Sequence, residues 1–124
     1  MVSVPGFLLR NLYVKGSLRN AEDGFEFELR NSLGSGYAYK LWPLTVDGDE
    51  VLADRAFFEL EGERTAFSEV SREKTFTLVM GKTITIQAHP APKLAPGPHK
   101  VGMGFDVPGL GTLRFDFTDS VEDG

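Results

Sequence analysis

The sequence predicts an all-β fold of two packed antiparallel sheets, and three observations predict it. Apolar and polar residues alternate along one segment after another, as they do in strands buried on one face and wet on the other. Turn-forming residues separate these segments about every ten residues, a rhythm that favours a sandwich or barrel over a flat sheet. The one stretch with a different rhythm, Thr65–Lys74, has room for only a single helical turn, capped by Thr65 or Ser68.

Asp23-Gly24 introduces the first clear strand. Within Gly24–Asn31, Phe25, Phe27 and Leu29 point one way, and Glu26, Glu28 and Arg30 point the other. Asp47-Gly48 lies between Leu44-Thr45-Val46 and Val51-Leu52, a hairpin signal because both residues tolerate the left-handed backbone. Phe76, Leu78 and Met80 alternate, as do Ile84 and Ile86 between threonines, with Met80-Gly81-Lys82 separating the two runs. Ala88–Pro98 holds four of the seven prolines. Proline removes a ladder donor, so this segment reads as a rigid connection crossing between sheets.

Two long alternating runs follow. Val101, Met103, Phe105 and Val107 form one face, and Leu113, Phe115 and Phe117 form another, with Pro108–Gly111 between them. The expected core is Phe25, Phe27, Leu29, Phe76, Leu78, Ile84, Ile86, Val101, Met103, Phe105, Leu113, Phe115 and Phe117, in an immunoglobulin-like arrangement. One domain spanning residues 1–118 is expected, followed by an acidic tail over 119–124.

With 124 residues the chain can bury about two-thirds of its unfolded surface without staples. A net charge of −5 and a pI near 5.0 argue against nucleic acid and anionic membrane surfaces. Lys and Arg are scattered, never in a run. The absence of cysteine removes disulfides, thiolate metal sites and thiol nucleophiles. Met1–Arg10 lacks the basic start of a signal peptide, and no apolar run approaches about 18 residues. The cytoplasm is the expected compartment.

The chemistry-bearing residues are few. His89 and His99 lie ten apart, without the close spacing that puts two imidazoles on one metal. They read as structural or surface histidines, the alternative being a site completed by another chain. Asp47-Gly48-Asp49-Glu50 resembles a calcium-loop fragment but lacks the twelve-residue ligand spacing. Glu59, Glu61 and Glu63 read as one solvated strand face. The glycine-rich pieces at 34–36, 102–104 and 109–111 lead into no helix, so none is a phosphate loop. No catalytic residue, cofactor site or metal site is expected within the chain.

What remains is aromatic. Tyr37, Tyr39 and Trp42 cluster beside glycines, the tyrosines on one face and the tryptophan on the other. Rings with polar handles are enriched at interfaces and sugar-stacking sites, and they also fill cores at sheet corners. Gly102 and Gly104 share the strand face opposite Val101, Met103 and Phe105. Bare positions there serve either internal packing or close approach by another chain.

Several pieces, in order, resemble a known family. They are Lys15–Asn20, Gly24-Phe25-Glu26-Phe27, Leu44–Val51, and Leu94-Ala95-Pro96-Gly97-Pro98-His99-Lys100-Val101 with its following strand. The set resembles the small β subunit of C-glycoside deglycosidases and its short stand-alone relatives, some labelled hydroxymethylglutaryl-CoA reductase. Nothing in these 124 residues marks a nicotinamide or coenzyme A site.

The resemblance implies a β-sandwich paired with a larger, sugar-isomerase-like barrel subunit, which would hold the catalytic residues and a divalent metal. The aromatic stretch Gly34–Trp42 departs from that pattern. The leading expectation is therefore a non-catalytic accessory subunit acting by protein contact through Tyr37, Tyr39, Trp42, Gly102 and Gly104. Self-association through the same face is a further expectation. Two rival readings are a free-standing carbohydrate-binding module with the three rings as platform, and a small enzyme using His99 with a carboxylate.

Overall fold

A computed structural model of the chain describes residues 6–32, 34 and 36–121, with the side chain of Phe7 left aside. These residues form an all-β antiparallel structure. The strands are β1 (Arg19–Ala21), β2 (Gly24–Arg30), β3 (Gly36–Ala38), β4 (Lys40–Leu41), β5 (Leu44–Val46) and β6 (Asp49–Val51). They continue as β7 (Ala56–Leu60), β8 (Glu63–Ala66), β9 (Phe76–Leu78), β10 (Thr83–Ala88), β11 (Gly97–Val107) and β12 (Gly111–Val121).

One five-stranded sheet runs β1-β2-β10-β7-β8. A second runs β12-β11-β5-β6, with β4 also pairing β11. The pair β3-β9 forms a small sheet of its own, which the two-sheet expectation did not contain. Phe76-Thr77-Leu78 was expected to alternate toward the core and does, but its ladder partner is Gly36–Ala38.

The core is the one that alternation predicts. All thirteen expected residues are buried, from Phe27, Leu29, Ile86 and Val101 at 0 % exposure to Leu78 at 9 %. Rings from both large sheets meet there. Phe27 of β2 packs edge-on against Phe117 of β12 with centroids 5.1 Å apart. Such contacts between inward faces join two amphipathic sheets through one apolar interior.

The turns follow the chemistry of their residues. Asp47 and Gly48 both have positive φ, 52° and 92°, and close the β5–β6 hairpin in two residues. Glu61 and Gly62 do the same, at 53° and 84°, between β7 and β8. This corrects the reading of Glu59, Glu61 and Glu63 as one strand face: Glu61 is in a turn, and Glu59 and Glu63 lie on different strands. A non-glycine residue at positive φ hid this turn from composition. The single helical turn expected in Thr65–Lys74 is a 3₁₀ turn at Phe67–Glu69, but Ala66 precedes it and no side chain caps it. Thr65 belongs to β8.

The proline-rich stretch carries the chain from β10 in one large sheet to β11 in the other, as expected. Asn20 holds it in place by imitating a strand neighbour. Its amide nitrogen donates to the Leu94 carbonyl at 2.8 Å, and its amide oxygen accepts from the Leu94 N–H at 2.7 Å.

The last strand runs through Val121, which is 3 % exposed and pairs with Gly97. The acidic tail therefore does not start at Asp119, and Glu122–Gly124 lie outside the described residues. Asp119 is structural. Its carboxylate accepts from the Tyr13 hydroxyl at 2.6 Å and from the Gly16 N–H at 2.7 Å. The hydroxyl in turn accepts from the Leu18 N–H, and the Tyr13 ring stacks on Phe117 at 3.6 Å. Burial, then the hydrogen bond to Asp119, pushes the Tyr13 phenol up to about 12. The same hydrogen bond holds the Asp119 carboxyl below its ordinary range.

Candidate functional site

The aromatic residues singled out from sequence do not form one cluster of like surroundings. Tyr37 is 49 % exposed and lines an apolar pocket of about 320 Å³ with Leu9, Phe76, Phe105 and Leu113. Ser35, in the neighbouring glycine-rich piece, lies outside the described residues. Tyr39 donates its backbone N–H to the Asp106 carbonyl and lies beneath the Arg72 guanidinium, 4.2 Å from its centroid.

Trp42 is the residue the fold builds around. Its backbone N–H donates to the Gly104 carbonyl, which extends the β4 pairing along β11. Its half-buried ring lies beneath Lys40 Nζ at 3.8 Å and the Arg114 guanidinium at 5.0 Å. Its indole N–H donates to Asp106 Oδ1 at 2.8 Å. Asp106 also accepts from the Thr112 hydroxyl at 2.6 Å. Burial raises the Asp106 carboxyl. The bonds from Thr112 and Trp42 and the charges of Lys40 and Arg114 outweigh it, leaving the group below its ordinary range.

Lys40, Asp106, Thr112 and Arg114 were missed by sequence reasoning. The signal for part of the set was available. A hairpin turning at Gly109 pairs Asp106 with Thr112 and Gly104 with Arg114, and these are the polar positions between the buried ones. The contribution of β4 was not available, because a two-residue strand has no readable alternation.

Gly102 and Gly104 lie on β11 under this cluster. A side chain on Gly102 would collide with the Thr45 hydroxyl, and one on Gly104 would come within 3.2 Å of the Arg114 side chain. The bare positions let Thr45 and Arg114 lean across the strand. Together they floor a trough of about 440 Å³ on the outer surface of the sheet.

The histidines are held elsewhere. His89 stacks on Phe57 at 4.8 Å and accepts from Arg64 at 2.8 Å through Nε2. His99 does meet a carboxylate: its Nδ1 is 2.7 Å from Asp47 Oδ2. Its Nε2, however, is 2.7 Å from the Ala95 carbonyl oxygen. Two acceptors face two ring nitrogens, so both donate and neither is left for a substrate. Among the described residues, no three His, Asp or Glu side chains are grouped to hold a metal ion.

The His99–Asp47 contact makes stability depend on pH. The hydrogen bond to Asp47, then that to Ala95, raises His99 above 6.5. The Lys100 N–H, then His99, lowers Asp47 below 3.8. A raised histidine contributes stability that is complete below its unfolded value and lost as pH rises through its folded value. A depressed carboxyl contributes stability present above its unfolded value and lost as pH falls through its folded one. Melting temperature should therefore fall as pH rises from about 6 to about 8. His99→Gln should flatten that fall in thermal melts, and an equally steep fall in the variant would refute the assignment.

Among the described residues no helix is long and apolar enough to cross a membrane. No curated protein matches the chain. The family described as hydroxymethylglutaryl-CoA reductase, N-terminal domain, matches residues 8–122, nearly the whole chain, and the chain belongs to that family.

Proposed function

We propose that this chain is a non-catalytic β-sandwich, immunoglobulin-like in arrangement, that works by protein contact through the face around Trp42. The observation that carries this reading is the mounting of the Trp42 ring. It is half-buried, clamped by the indole bond to Asp106, and overlain by Lys40 and Arg114. Trp, Tyr and Arg are the residue types that anchor interfaces, and a ring fixed before association loses little entropy on binding. Tyr39 under Arg72 adds a second anchor of the same kind.

The partner proposed is a larger, sugar-isomerase-like barrel subunit, as the resemblance to C-glycoside deglycosidase β subunits implies. That subunit would supply the catalytic residues and any divalent metal, making the assembly a carbon–carbon lyase. Self-association through the same face is the alternative when the partner is absent. A carbohydrate platform fits less well, because cations lie over the Trp42 and Tyr39 rings where a sugar would stack.

The test replaces Tyr39→Ser and Trp42→Ser together. Circular dichroism checks the fold, and sizing and affinity recovery from host extract follow. The expected result is that the parent recovers a larger, metal-containing chain in fixed ratio and the folded double variant does not. Unchanged assembly and recovery by the folded variant would end the reading.

A further inference from the structure

The trough beside Trp42 has an electrostatic character opposite to that of the chain. Arg10, Lys100 and Arg114 line it, and among the described residues Asp116 is its one carboxylate. Three cations against one anion make a locally positive strip on a chain of net charge −5. Asp116 is shared, 3.5 Å from Arg10 and 3.8 Å from Lys100, with all three side chains about half exposed or more. Pairs that long and wet neutralise little. Among the described residues, no carboxylate lies within ion-pair distance of Arg114, whose guanidinium rests over Trp42.

The floor suits an extended chain. The Thr45 and Arg114 side chains lean over Gly102 and Gly104 and keep the floor low, so a segment crossing the trough rests on those two side chains. β11 is paired on both sides, by β12 and by β4 and β5. An arriving segment therefore lies on the face of the sheet, held by side chains, and adds no strand to an edge.

We infer that this trough receives an acidic, extended segment of a partner protein, its carboxylates meeting Arg10, Lys100 and Arg114 and its backbone crossing β11 over the Thr45 and Arg114 side chains. The inference rests on the protein-contact reading above and names the chemistry of the surface that docks. Complementary charge of this kind sets orientation and association rate more than total affinity.

The probe is a ten-residue peptide alternating glutamate and glycine, titrated into the ¹⁵N-labelled full chain. A lysine–glycine peptide and a ten-residue oligothymidylate serve as comparisons. The acidic peptide should shift the amides of Thr45, Lys100, Gly102 and Gly104, and should weaken as salt is raised. Arg114→Glu should weaken it about tenfold. Gly104→Ala, whose added methyl presses on the Arg114 side chain at 3.2 Å and touches the Leu113 carbonyl oxygen at 3.5 Å, should weaken it by displacing Arg114, with circular dichroism checking the fold.

Shifts elsewhere, equal binding of the lysine peptide, or binding of the oligothymidylate as tight as that of the acidic peptide would overturn the inference. So would indifference to Arg114→Glu. The parent reading fails separately, in the Tyr39→Ser, Trp42→Ser recovery. If that variant loses the partner while an Arg10→Glu, Lys100→Glu variant retains it, protein contact stands and the acidic segment is excluded.

Discussion

Replacing Phe27 with alanine should lower the stability of this chain by about 3–5 kcal/mol, the range for emptying a packed aromatic site. The side chain is fully buried in the core. It meets Phe117 edge-on at 5.1 Å and Tyr13 at 6.1 Å. Tyr13 and Phe117 are themselves stacked, so the three rings support one another and cannot collapse cheaply into the vacancy. Phe115→Ala should act similarly on the opposite sheet, where Phe115 is 5 % exposed. Phe57→Ala is the comparison. That ring is only partly buried, beside His89 and Arg64, and its loss should cost about 1 kcal/mol. Urea unfolding of the three variants measures all of this. Equal losses for Phe27 and Phe57 would mean that the two sheets do not share a core through β2.

Gly24→Ala should be nearly as damaging, at about 3 kcal/mol, although it adds a single methyl group. A Cβ at this position would drive into the Ala88 carbonyl oxygen, a backbone atom of the neighbouring strand β10. Ala88 pairs with Phe25 at the end of that ladder, so relief requires the strands to separate where Phe25 and Ala88 are buried. Gly36→Ala tests whether the cause is steric. Among the described residues nothing lies within 4 Å of a Cβ there, and its backbone is not in the left-handed region, so its stability should be unchanged or slightly higher. A Gly24→Ala chain as stable as the parent would show that β2 and β10 have room to spread at this end.

The core was legible because strand geometry makes it so. Side chains alternate with period two, so one apolar face can be read residue by residue, and all thirteen predicted positions are buried. Asp47-Gly48 was legible for a related reason: the residue types that tolerate positive φ announce the turn. Glu61-Gly62 has the same backbone, but glutamate does not announce it, so a hairpin was read as a strand. The helical turn Gly6–Leu9 and the following 3₁₀ turn Arg10–Leu12 left no sequence signal, being too short to show a period.

The site divided in the same way. Trp42 was picked out by its residue type, and Gly102 and Gly104 by their place opposite a buried face. Their grouping with Lys40, Asp106, Thr112 and Arg114 depends on pairings distant in the chain, such as the Trp42–Asp106 bond across 64 residues. The separation of Tyr37, which turns to the apolar pocket, from Trp42, which lies over β11, depends on which strand each flanks. The resemblance pieces Lys15–Asn20 and Leu94–Val101 are likewise joined only in space, by Asn20 and Leu94.

By itself, then, the sequence determined the fold class, the buried faces and the two-residue turn at Asp47-Gly48, because each depends on neighbouring residues and on the period of the backbone. Only the tertiary structure decided that β3 and β9 pair apart from the large sheets, that both nitrogens of His99 are bound, and that cations gather over Trp42. Those outcomes depend on which distant strands lie side by side. No local pattern encodes that, because one alternating strand presents the same apolar face to any partner that can bury it.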